Sequence, residues 1–169
     1  MFQVIFAVLA VVGASIHLAF SPSRRSSGAA IARTYLVYLL FSYVGLMGLL
    51  TAYAHVFRPI ETSASIGWST SPYEYEVGMA DLTVGALGVL CAWLRGNFWL
   101  ATAIANALWL LGDAVGHMRQ MVVNNNHAAN NSGMFLVFEI VTPLVILFLA
   151  LYDRSATAKE SRAGTSVAA

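Results

Sequence analysis

Glu76, Asp81, Asp113 and Glu139, with His55 and His117, sit inside stretches that otherwise read as membrane-spanning helices, and all six fall towards the same side of the bilayer. An ionised acid near the bilayer centre costs about 2.5–3.5 kcal/mol on insertion scales, so such residues are as a rule paired or functional. Four carboxyls in one slab face only Arg119 and whatever charge the two histidines carry. Full ionisation is unfavourable: either some carboxyls hold protons, or a cation occupies the site. Three chemistries follow. The cluster is an interhelical hydrogen-bond network that holds the bundle together, alone or as an accessory subunit of a larger membrane assembly. Alternatively it is a proton- or cation-coupled transport or sensing element. The third reading is a metal centre for iron, manganese or zinc. There Asp113 and His117, at i and i+4 on one helical face, are joined by Glu139, Asp81, Glu76 or His55 in a carboxylate-rich shell. The spacing departs from the Glu-x-x-His pattern of di-iron bundles, and no cofactor is specified.

The elements that must position these groups are apolar helices. The chain is 59% hydrophobic and 10% charged, which puts it in the membrane class. Five runs are long enough to cross roughly 30 Å of hydrocarbon: Phe2 to Phe20, Tyr35 to Phe57, Tyr75 to Leu94, Phe98 to Met121 and Met134 to Tyr152. The expectation is an all-α integral membrane bundle of five transmembrane helices over residues 1–153, followed by a disordered cytoplasmic tail over 154–169. No room is left for a nucleotide-binding unit. The first run has no Lys or Arg before it and no small-residue cleavage site after it, so it reads as a helix and not as a secretion signal.

Of the nine Lys and Arg residues, seven (Arg24, Arg25, Arg33, Arg95, Arg154, Lys159 and Arg162) share one side, which sets the N-terminus outside and the C-terminus inside. A net charge of +1 without a dense basic face argues against a nucleic-acid partner. The expected partners are the lipid bilayer and a membrane protein or a second copy of the chain. The single Cys91 excludes a thiol–disulfide oxidoreductase, and no nucleophile elbow supports Ser-His-acid catalysis.

Leu94-Arg95-Gly96-Asn97 reads as a tight turn that sets the third and fourth helices side by side. Counting from Gly96 at about 1.5 Å per residue puts Asp81 and Asp113 roughly 22–26 Å above the turn, and Glu76 and His117 near 30 Å. Glu76 and His117 are expected to form a charge-assisted pair. On the fourth helix Thr102, Asn106, Trp109, Asp113, His117 and Gln120 recur at three- and four-residue spacing, so that face points into the bundle. On the third helix Gly78, Asp81, Gly85 and Gly88 form a close-packing stripe. The loop from Arg58 to Pro72 could fold over the outer helix ends, whereas the Asn-rich Asn124 to Gly133 reads as a flexible, solvated connector.

The segment Gly67-Trp68-Ser69-Thr70-Ser71-Pro72-Tyr73-Glu74-Tyr75-Glu76-Val77-Gly78, followed by Gly112 to Gln120, resembles an uncharacterised family of small bacterial multi-pass membrane proteins, a domain of unknown function. The resemblance covers mainly the last three helices. It implies a bacterial plasma-membrane protein, with Glu76, Gly78 and His117 at matching positions. At Asp81 that family more often has Asn, which argues against an essential ionised Asp81. The resemblance implies no reaction, substrate or cofactor.

Overall fold

The structure, a computed structural model, describes the backbone of residues 2–167 and the side chains of residues 2–160. Ser27 opens the second long helix by accepting a hydrogen bond from the Ala30 N–H at 3.1 Å, which satisfies one of the free donors of a helix start. From there the backbone stays helical to Phe57 as α2 (Gly28–Tyr38), a π-helical stretch (Leu39–Leu46) and α3 (Met47–Phe57). It is preceded by α1 (Phe2–Phe20) and a short 3-10 turn, Pro22–Arg25. Pro59 then starts α4 (Pro59–Ile66), where a missing N–H costs nothing, and Gly67 ends it with φ 71°. The chain closes with α5 (Tyr73–Leu90), α6 (Asn97–Asn124) and α7 (Met134–Val167). Among the described residues there is no strand.

Four of these helices are long and apolar enough to cross a membrane: α1, the rod Gly28–Phe57, α6 and the Met134–Glu160 part of α7. The fifth expected span, α5, is not among these four: its 18 residues include the acids Glu74, Glu76 and Asp81, which make it less apolar.

The glycine stripe of α5 determines where that helix sits. A methyl group at Gly48 would stand 2.8 Å from the Cα of Gly85, one at Gly45 would stand 2.8 Å from the Val89 nitrogen, and one at Gly88 would collide with the Gly45 backbone. Bare backbone therefore meets bare backbone along Gly45/Gly48 and Gly85/Gly88, as in small-residue helix contacts in membranes. Gly78 lies against His55 and Val56, so α5 runs antiparallel to the rod.

This contact corrects one expectation. Gly96, at φ 66°, does turn the chain between α5 and α6, yet the two helices do not pack along their lengths. Instead α5 lies on the π-helical stretch and α3, while α6 lies on α7. The glycine face pulls α5 towards the rod and away from its hairpin partner. Leu36, Leu40, Tyr43, Trp99, Leu110 and Ile146 fill the middle of the bundle.

At the end opposite α4, Arg33 Nε donates to Asp153 Oδ1 at 2.6 Å and Nη2 to Thr157 Oγ1 at 3.0 Å. The tail expected to be disordered from residue 154 thus begins as a continuation of α7 that returns a side chain to α2. Ala168 and Ala169, the last part of that tail, lie outside the described residues.

Candidate functional site

The polar residues gather at the α4 end of the bundle, in two braces and a cavity. The first brace starts at Glu74, in the first turn of α5 and buried. His55 Nδ1 lies 2.7 Å from its Oε2, and Ser63 on α4 donates to its Oε1 at 2.5 Å. One carboxylate thereby ties α5 to both α3 and α4. The second brace centres on Asn131, which is 0% exposed. Its Oδ1 accepts from Trp68 Nε1 at 2.9 Å and lies 2.8 Å from His117 Nδ1, and its Nδ2 donates to the Asn126 carbonyl at 2.9 Å. Asn126 in turn donates to the Ile66 carbonyl at 2.8 Å. The Asn-rich loop, expected to be a flexible connector, is locked to α6 and to the segment after α4 by its own amides.

Between these braces lies a cavity of about 450 Å³. Phe2 and Gln3 reach it from α1, Tyr43 from the π-helical stretch, Thr51 from α3, Asp113 from α6 and Glu139 from α7. Asp81 also lines it and accepts from Trp109 Nε1 at 2.9 Å, the contact that bridges the gap between α5 and α6. At the rim Arg58 pairs with Glu61 at 3.1 Å. A hydrogen bond from its own backbone, and then the guanidinium, hold the exposed Glu61 carboxyl below the usual carboxylate range.

Three residues that line the cavity carry buried polar atoms with no partner among the described residues. Oε1 of Gln3, Nδ2 of Asn106 and Oε2 of Glu139 are buried without a hydrogen bond among the described residues, and all three residues line this one space. Glu139 Oε1 lies 3.6 Å from His117 Nε2. Asp113, half-buried, makes no hydrogen bond among the described residues.

Of the residues singled out in the sequence, Asp81, Asp113, His117, Glu139 and His55 line the cavity. Glu76 does not. It is exposed on the opposite face of α5, and the partners of His117 are Asn131 and Glu139, so the expected Glu76–His117 pair is not formed. Arg119 is also exposed and makes no ion pair among the described residues. Glu74, Ser63, Asn131 and Gln3 were missed. Glu74 had a legible signal: with Gly78, Asp81, Gly85 and Gly88 it continues one stripe at spacings of four, three, four and three. As for a metal, no three His, Cys, Asp or Glu side chains among the described residues are disposed to hold one ion.

A model of a family of unknown function, DUF6790, matches residues 1–159. The chain belongs to that family. The DUF6790 match takes in every helix that lines the cavity, both braces, and the Arg33–Asp153 contact at the far end. It agrees with the resemblance to an uncharacterised family read from the sequence. No curated protein and no solved structure matches the chain.

Proposed function

We propose that this DUF6790 protein crosses the bacterial plasma membrane five times, N-terminus outside and C-terminus inside. In the outer half of the bundle, its acid-lined cavity takes up a positively charged guest as part of cation-linked sensing or transport. The exposed faces of α1 and α7, with Val8, Leu9, Val12, Leu144 and Phe148, suit lipid. Support for α5 as the fifth span comes from its glycine face along the rod, which keeps Glu74 and Asp81 inside the bundle. The orientation rests on Arg24, Arg25, Arg33, Arg95, Arg154 and Lys159, which group at the Arg33 end.

One observation carries the functional reading: Gln3, Asn106 and Glu139, each with a buried polar atom that has no hydrogen-bond partner among the described residues, line the same cavity as Asp81 and Asp113. A network that served only to hold helices would pair such atoms, because each buried polar group left alone costs about 1–3 kcal/mol. The braces around Glu74 and Asn131 do pair theirs and account for structural holding.

Accessibility tests this reading. Val84 lines the cavity from α5, and the buried Cys91 is the only native thiol. In a Cys91→Ser background, Val84→Cys is expected to react with a small cationic methanethiosulfonate faster than with its anionic counterpart, by about tenfold, as anionic walls focus cations. Equal rates, or no reaction with either, contradict it.

A further inference from the structure

We infer that the guest is a small organic ammonium ion, not an inorganic cation, an assignment that rests on the cation-binding reading above. Its walls combine three features that only such a molecule uses together. Asp81, Asp113 and Glu139 supply carboxyl groups on three different helices, which a cationic guest would hold ionised. Trp68, Trp109 and Phe135 supply aromatic surface, which attracts ammonium groups through ring quadrupoles and accepts the apolar body of an organic ion. The amides of Gln3 and Asn106, 7% and 2% exposed, each carry a polar atom without a partner among the described residues, which a small turn of the side chain would offer to a hydroxyl, carbonyl or N–H of the guest.

An inorganic ion fits less well. A bare metal needs several oxygen or nitrogen ligands within about 2.0–2.6 Å of one point, and the described residues offer no group of three His, Cys, Asp or Glu side chains disposed to hold one. The volume, about 450 Å³, is that of a small-molecule site. An anion would meet three carboxyls, while His55 and His117 have their Nδ1 atoms engaged by Glu74 and Asn131. Arg58, the cation at the rim, is held by Glu61.

The purified full chain is titrated with phenethylammonium, its neutral isostere 2-phenylethanol and the anion phenylacetate, following thermal unfolding and indole fluorescence. Phenethylammonium is expected to raise the melting temperature saturably and to bind at least about tenfold more tightly than either isostere. Asp113→Asn is expected to weaken it by a similar factor without lowering the unliganded melting temperature, because Asp113 makes no hydrogen bond among the described residues. Equal binding of 2-phenylethanol overturns the assignment. So does displacement of the ammonium by sodium, calcium or zinc, or an affinity unmoved in both Asp113→Asn and Glu139→Gln. If none of the three compounds binds while the cationic thiol reagent still outpaces the anionic one at Val84→Cys, the organic class falls and the cation cavity stands. If that preference is also missing, both fall.

Discussion

Trp109 on α6 donates its indole N–H to Asp81 on α5 at 2.9 Å, across the gap that the two halves of the hairpin leave between them. Joined by a tight turn yet packed on different partners, α5 and α6 are tied at mid-height by this contact. Trp109→Phe keeps the ring and removes the donor. The variant is expected to lose about 1–3 kcal/mol of stability, the cost of a buried acceptor left alone, read as a fall in melting temperature in detergent. An unchanged melting temperature would show that the bridge carries no weight.

Glu74, not Glu76, is the acid coupled to its surroundings. His55→Ala and Glu74→Gln are expected to destabilise non-additively, because each removes the same 2.7 Å contact. Glu76→Gln with His117→Ala should give additive effects, the first near zero, since Glu76 is exposed. Coupling between Glu76 and His117 in a double-mutant cycle would reverse this assignment.

The Asn-rich loop separates into one anchoring residue and replaceable neighbours. Asn131→Ala removes the acceptor shared by Trp68 and His117 and is expected to cost about 1–3 kcal/mol. His127→Ala, at an exposed position whose ring contacts Asn125, is expected to shift stability by less than about 0.5 kcal/mol. Both are read from thermal unfolding of the same preparation. Equal effects would mean that the loop is the solvated connector its composition suggested.

The glycines divide in the same way. Gly48→Ala sets a methyl group 2.8 Å from the Gly85 Cα, so α5 must move off the rod, and loss of folded protein on size-exclusion chromatography is expected. Gly112→Ala meets nothing within 4 Å and should be neutral or stabilising, by up to about 1 kcal/mol through helix propensity. Similar yields for the two variants would contradict the close contact.

Much of this site is visible in the chain as periodicity. The inward face of α6 announced itself, because Thr102, Asn106, Trp109, Asp113 and His117 recur at helical spacing in an apolar background. The glycine stripe of α5 was equally plain, and one turn further back it leads to Glu74. Depth counting favoured Glu76 instead, since a level along the axis says nothing about which way a first-turn side chain points. Two things left no periodic trace. Asn131 sits among asparagines of identical chemistry, and only the fold decides which amide finds a histidine and an indole. The separation of α5 from α6 depends on Gly45 and Gly48 of a distant helix, a non-local choice that a short hairpin turn conceals. Gln3, near the start of an apolar run, gained its meaning only when α1 was placed beside the rod.

The most direct test is an experimental density map of the protein in lipid with millimolar phenethylammonium present. A discrete feature bounded by Asp81, Asp113 and Glu139, with the amides of Gln3 and Asn106 turned towards it, is the predicted result. A space closed by rearranged side chains, or filled by a lipid acyl chain with the three acids turned away, would contradict the cation-binding reading.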